Sequence, residues 1–367
     1  ALVALYRPGP MQHIGAYCRG KHDPSQVRYP HPDLAKILDE TYGVICYQDQ
    51  VLFVLQTFAG YELKDAEAIR KAMSKKVASL MQTEGEKFIA AARKKGYTKE
   101  EAEAVFTLIE PFAGYAFNKS HAACYGTIAY QTAYLKTNYP HEYMTAVLAS
   151  AGTHERIAEA VAECVRLGIT VLPPDVNRST SGFQLEEHEG GLAIRFGLET
   201  VKNVGSGAAE NVVRLREEDG PYASVEDFAR RVDLKALNRR ALESLIKAGA
   251  LDAFGGRGTL LANVERIVSL AQREQRLKET GQSTMFDMFG DSVATPLPSL
   301  ELIESEATKA EQLSWERELL GVYLSEHPFR SAAVTLSQHT TALVTELTAE
   351  MDGREVVIAG MVQAARP

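Results

Sequence analysis

The stretch FAGYAFNKSHAACYG, residues 112–126, sets Asn118, Lys119, Ser120 and His121 directly in front of an apolar run. Residues of these types at the start of a helix have two uses. With Ser120 as N-cap, the next backbone N–H groups point out of the helix end, where the peptide dipoles sum to a partial positive charge. Lys119 adds a full charge beside that end, and the combination suits an anion. The other use is capping alone, and the local pattern does not choose between them. The field of the helix end disfavours a protonated His121, which reads as a neutral hydrogen-bonding group rather than a metal ligand.

Three further segments carry chemistry. In DAEAIRKAMSKK, residues 65–76, helical spacing turns Ala66, Ile69, Ala72 and Met73 inward and crowds Arg70, Lys71, Lys75 and Lys76 together. Lys71 and Lys75 stack one turn apart, which costs roughly 0.2–0.5 kcal/mol in an isolated helix. A polyphosphate bridging the cluster gives it a purpose, and a solvated face is the plain alternative. KNVGSGAAENVV, residues 202–213, sets Asn203, Gly205 and Gly207 between short helical runs, the pattern of a helix-hairpin-helix whose glycine turn offers N–H groups to a nucleic-acid phosphate. LNRRALESLIKAGALDAFG, residues 237–255, looks like a second, degenerate unit with Arg239, Arg240 and Lys247; an ordinary turn between helices is the alternative. In GQSTMFDMFGD, residues 281–291, Gln282, Met285 and Phe286 form a Q-x-x-M-F peptide within a polar stretch. Exposed apolar residues there suit a partner's groove, or else a loop tucked back on its own domain.

The elements that position these groups read as mainly helical up to 151. Leu34, Ile37 and Leu38 share one face, Val51, Val54, Leu55 and Phe58 another, and Gly60 supplies a stop. Thr98 to Glu101 is a capping box that opens a helix with Ala102, Val105, Phe106 and Ile109 inward, ended by Pro111. A longer helix is expected from about Ser120 to Asn138, with Pro140 breaking it, and another over 154–167. Residues 168–179 and 190–201 are short β-rich segments, short helices return over 203–280, and 281–312 reads as a linker.

The chain has 367 residues, 45% of them hydrophobic and 24% charged, with a net charge of −8, so any nucleic-acid surface is a local patch rather than a bulk polycation. Cys18, Cys46, Cys124 and Cys164 follow no C-x-x-C pattern; buried reduced thiols and a cytoplasmic setting are expected, with no metal site. No apolar run approaches the ~20 residues that span a bilayer, so no membrane role is expected. No D-x-D strand end suits a two-metal phosphoryl-transfer site, and Glu217, Glu218 and Asp219 read as a loop charge run. Both ends, ALVALYRPGP and REVVIAGMVQAARP, read as cut from something larger.

ALVALYRPGP, TYGVICYQDQV, IRKAMSKK, FAGYAFNKSHAACYG, LPPDVN and LNRRALESLIKAGALD, in this order, together resemble the alpha subunits of bacterial replicative DNA polymerase III, the C-family polymerases. The resemblance implies a helical fingers domain followed by a tandem helix-hairpin-helix domain, with the start of an OB-fold β-barrel at the C-terminus. It implies the end of the palm over 1–10, fingers over 11–175, the tandem hairpin and clamp-binding region over 176–290, linker and helices over 291–342, and OB-fold from 343. Arg70, Lys71, Lys75, Lys76 and Asn118 to His121 would then face the triphosphate of an incoming deoxynucleotide. Asn203, Gly205, Gly207, Arg239 and Arg240 would hold primer–template DNA, and Gln282, Met285 and Phe286 a sliding clamp, alongside other replicase subunits. Magnesium would be held by palm aspartates outside this chain, leaving no catalytic residue within it. The reading from a different class is a non-catalytic protein that binds DNA and recruits a clamp.

Overall fold

The structure, a computed structural model, describes residues 1–7, 10–74, 78–113, 116–280, 300–326, 335–342 and 344–360. It is mainly α, as the sequence implies, and divides into two compact units, Ala1–Tyr134 and Leu135–Pro367. Among the described residues no helix is long and apolar enough to cross a membrane.

The first unit contains α1 (Leu2–Leu5), α2 (Ile14–His22), α3 (Ala35–Leu38), α4 (Gln48–Ala59), α5 (Leu63–Ser74), α6 (Ala78–Lys94), α7 (Lys99–Ala113) and most of α8 (Lys119–Asn138). Helix α4 is its axis. Val51, Val54, Leu55 and Phe58 recur at helical spacing and are fully buried against Leu34, Leu38, Phe88, Val105 and Ile109. Gly60 ends α4 in the left-handed region at φ 72°, and its N–H reaches the Gln56 carbonyl at 2.9 Å. The capping box before α7 is formed, the Glu101 N–H donating to Thr98 Oγ1 at 3.2 Å and the Thr98 N–H to Glu101 Oε2 at 2.8 Å. Pro111 does not stop that helix, which runs on to Ala113. A proline in the last turn forfeits one backbone bond, and the chain leaves the helix only after it. A smaller apolar cluster joins Ala4 and Leu5 of α1 to Val44, Cys46, Tyr47 and Ala122.

The second unit follows with α9 (Pro140–Ser150), α10 (His154–Arg166), β1 (Thr170–Leu172), β2 (Gln184–His188) and β3 (Gly191–Arg195). Pro140 takes the first position of α9, where its missing N–H costs nothing. The strands form one sheet in the order β1-β3-β2, with β1 parallel to β3 and β2 antiparallel to it. Then come α11 (Ser206–Asp219), α12 (Val225–Arg231), α13 (Arg239–Lys247), α14 (Arg257–Ala262), α15 (Val264–Thr280) and α16 (Lys309–Leu320). One core holds them, with Ile194, Phe196, Val212, Phe228, Leu245, Leu260, Ile267 and Leu320 all at its centre. Helices α9 and α10 pack on the sheet, so residues from 135 onward belong to this core, whereas the sequence reading carries the first large domain on to 175.

Part of the expected linker is docked. Buried Asn263 clasps Ile303 from both sides, donating to its carbonyl at 2.9 Å and accepting its N–H at 3.0 Å. Thr259 does the same for Ser305, at 3.0 and 3.1 Å. Beyond α16, the described residues between 344 and 360 form two short 3-10 turns, Val344–Glu346 and Ala349–Met351, and no strand.

Candidate phosphate-binding sites

The first candidate site is the root of α8. A single parallel bridge pairs Tyr47 with Phe117: the Gln48 N–H donates to the Phe117 carbonyl at 2.9 Å, and the Phe117 N–H to the Cys46 carbonyl at 3.1 Å. This ties the start of α4 to the start of α8. Buried Gln50 holds the junction. Its Oε1 accepts the Cys46 and Tyr47 N–H groups at 2.8 and 3.0 Å, while its Nε2 donates to Thr41 Oγ1 at 2.8 Å.

The helix cap is Asn118, not Ser120. Asn118 Oδ1 accepts the His121 N–H at 3.1 Å and the Ser120 hydroxyl at 2.5 Å. Helix α8 starts at Lys119, so Ser120 falls inside its first turn, and an asparagine caps as well as a serine. That cap brings Asn118, Ser120 and His121 together and uses one of the free donors of the helix end. The His121 ring stands 5.3 Å from Phe117 and 4.6 Å from Tyr125.

Lys119 turns back to Glu40, its Nζ 2.7 and 2.8 Å from the two carboxylate oxygens. It also stands 5.7 Å from the Tyr47 ring. The pair lies on a concavity of about 690 Å³ lined by Lys36, Asp39, Glu40, Asp49, Phe53 and Lys119 among others. Both partners are about half exposed. An exposed pair of this kind is worth about 0–1 kcal/mol, so it holds Lys119 only weakly.

Arg70 lies on α5 with Ile69 packed on the core. Its Nε and Nη2 each donate to the Glu67 carboxylate at 2.9 Å, which raises the guanidinium pKa. Among the described residues Arg70 makes no hydrogen bond or ion pair to residues 118–121. Lys71 is on the same helix; Lys75 and Lys76 lie outside the described residues.

The second candidate site is the start of α11. Asn203 adopts φ 71°, a left-handed conformation that asparagine tolerates better than most residues. Its side-chain amide donates to Ser244 Oγ at 3.1 Å, which ties the glycine turn to α13. Gly205 is the N-cap and brings no capping side chain; its carbonyl accepts from Ala208 and Ala209 at 3.0 and 3.1 Å. The first two N–H groups of the helix, on Ser206 and Gly207, have no acceptor among the described residues. A Cβ built on Gly205 or Gly207 meets no atom within 4 Å, so packing does not require either glycine.

The second hairpin is closed by contrast. Asn238 caps α13, its Oδ1 accepting the Ala241 N–H at 3.0 Å. Arg239 is pinned between Glu243 at 2.8 Å and Glu265 at 2.5 Å, and these carboxylates raise its pKa. Arg240 is exposed and has no hydrogen-bond or ion-pair partner among the described residues. Gln282, Met285 and Phe286 lie outside the described residues.

Burial pushes the Cys46 thiol up to about 12 and the Cys164 thiol up to about 11, so neither supplies a thiolate at neutral pH. Among the described residues no group of three or more His, Cys, Asp or Glu side chains is placed to hold a metal ion. Glu40 escapes the sequence reading because it lies 79 residues from the lysine it pairs with. Gln50 is legible in principle, as a glutamine at the third helical position, where a capping side chain reaches back.

Two family models match parts of the chain; the second contains the start of α11, whereas Asn118 to His121 lie outside both. The family described as "Bacterial DNA polymerase III alpha subunit finger domain" matches residues 1–96, and that described as "Helix-hairpin-helix motif" matches residues 168–260. The DNA polymerase III subunit alpha of Thermus aquaticus is 43% identical over 373 residues, covering 99% of this chain and 30% of the relative. That of Saccharopolyspora erythraea is 41% identical, covering 99% and 31%. That of Vibrio cholerae is 38% identical, covering 100% and 32%. The chain thus spans about three tenths of these relatives, end to end on its own side, and it belongs to the family of bacterial DNA polymerase III alpha subunits.

Proposed function

We propose that this chain is the nucleotide- and duplex-holding part of a template-directed DNA polymerase of bacterial chromosome replication. The observation that carries the reading is the open N-terminus of α11, within the segment that the helix-hairpin-helix family matches. Two backbone N–H groups without a cap, flanked by glycines that packing does not need, accept a duplex phosphate without reading its sequence. Asn203 positions the turn through Ser244, and Arg240 adds a charge from the neighbouring hairpin.

The root of α8 and the basic face of α5 have the other role. Lys119, released from Glu40, together with Arg70, Lys71, Lys75 and Lys76, neutralises the triphosphate of the incoming deoxynucleotide as pyrophosphate leaves. Asn118, Ser120 and His121 supply hydrogen bonds at the same helix end. Gln282, Met285 and Phe286 tether the polymerase to a sliding clamp, and other replicase subunits complete the machine. In this reading magnesium is held by palm aspartates outside residues 1–367; among the described residues no group of three or more His, Cys, Asp or Glu side chains is placed to hold a metal ion.

Titrating residues 1–367 with unrelated duplexes over a range of salt concentrations tests the central claim. Binding without sequence preference, weakening steadily with salt, is the expected result. No duplex binding at low salt, or a strong preference for one sequence, overturns it. Duplex and clamp binding by the whole polypeptide without any primer extension would favour the non-catalytic reading.

A further inference from the structure

Helix α8 is apolar on more than one side and covered on almost none. Of its 20 residues only Ala122 is buried. Tyr125 and Ile128 are 52% exposed, Tyr130 is 70% exposed and Tyr134 is 50% exposed. Tyr125 and Ile128 lie one turn apart on one side, and Tyr130 is about 140° further round the helix from Tyr125. An ordinary surface helix gathers its apolar side chains into one stripe facing the core, whereas α8 presents large ones to the outside on two sides. The neighbouring α1 continues the surface. Its inner residues Ala4 and Leu5 pack with Ala122, while Leu2, Val3 and Tyr6 on its outer side are exposed.

We infer that α8 and the outer face of α1 are an internal interface, enclosed by polypeptide of the same protein outside residues 1–367. The length of the relatives supplies the occupant, since this chain spans only 30–32% of them. The distribution of apolar side chains favours a fold that wraps the helix, because a peptide or a flat partner covers one side only. Charge argues against nucleic acid. Lys119 at its first position and Lys136 in its last turn are the only residues of α8 with a full charge, and the exposed stretch from Tyr125 to Tyr134 between them carries none. Tyrosines without free cations are a poor track for a phosphate backbone. The interface concerns α8 from Tyr125 onward and leaves the phosphate-binding role of its first turn, Lys119 to His121, untouched.

Cys124 is an exposed thiol one turn from Ile128, and it reports on this surface directly. Its alkylation rate, followed by peptide mass spectrometry, is compared in residues 1–367 and in the full-length polypeptide. Rapid labelling in the shorter chain and at least about tenfold slower labelling in the longer one is the expected result, as for a site reached only by local opening. A second measurement guards against an indirect effect: Tyr130→Ser should lower the melting temperature of the full-length protein and leave that of residues 1–367 unchanged. Equal labelling rates overturn the inference, as does slow labelling of dilute 1–367. Protection of 1–367 only by its own concentration would instead make the occupant a second copy, and protection only by added DNA would make it nucleic acid. Either result also overturns the inference.

Discussion

At the scale of single residues, the two candidate sites differ in what already fills them. Gly205 leaves its helix end open, so filling that end from within should separate folding from binding. Aspartate caps a helix slightly better than glycine, by a few tenths of a kcal/mol, and its Cβ meets no atom within 4 Å. Gly205→Asp should therefore leave the melting temperature unchanged or slightly raised. The same carboxylate would sit where we propose that the phosphate binds, and losing a contact of roughly 1.5–3 kcal/mol should weaken duplex affinity about 10- to 100-fold. Fluorescence anisotropy on unrelated duplexes checks this, and unchanged affinity would make the open end incidental. The root of α8 has the opposite problem, since Glu40 occupies Lys119. In the full-length polymerase Lys119→Ala should reduce extension rate and apparent nucleotide affinity, while Glu40→Gln should preserve or improve both. Equal losses in the two variants would make the pair structural.

At the scale of elements, Gln50 holds two helix starts together through bonds that no other side chain replaces. Gln50→Leu keeps the shape and leaves the buried N–H groups of Cys46 and Tyr47 without an acceptor. Each unpaired buried donor costs about 1–3 kcal/mol, so a loss of roughly 2–6 kcal/mol is expected by chemical denaturation. Glu163 gives a pH-dependent counterpart in the second unit. Arg166 first, then Lys136, holds its carboxyl down from 4.5 to about 2. The stabilisation is fully present above about 4.5 and is lost as pH falls towards 2, because only the ionised carboxylate pairs. Denaturation midpoints of the parent and Glu163→Gln should therefore differ above that window and converge through it; a constant difference would show that the ion pairs contribute nothing.

These elements also show what the sequence discloses and what it conceals. The inward faces of α4 and α7 were legible because a 3.6-residue period repeats the same side chains over several turns. The capping box at Thr98 was legible because its partners are three residues apart. The true cap of α8 was missed by two positions because Asn and Ser compete equally for it, and only geometry decides. Glu40 and Ser244 were invisible, since nothing local links them to Lys119 and Asn203. Residues 300–308 read as linker by composition, yet Asn263 and Thr259 hold their backbone, and backbone partners leave no compositional trace.

At the scale of the whole molecule, the proposed tethering falls on the segment around Gln282, Met285 and Phe286, whose type pattern alone supports it. Burying Met285 and Phe286 in a clamp's pockets is worth roughly 1.5–3 kcal/mol each, less the cost of ordering the segment. That sum gives a weak, replaceable contact, and it becomes effective because a clamp threaded by DNA stays at high local concentration. Changing both residues to Ala in the full-length polymerase should abolish clamp-stimulated processivity while distributive synthesis without a clamp stays nearly intact. Product lengths under single-hit conditions, with and without clamp, measure the two separately. Loss of both activities would place the peptide in the folded body of the protein. A contact that is part of the core is lost with the core, whereas a tether is lost alone.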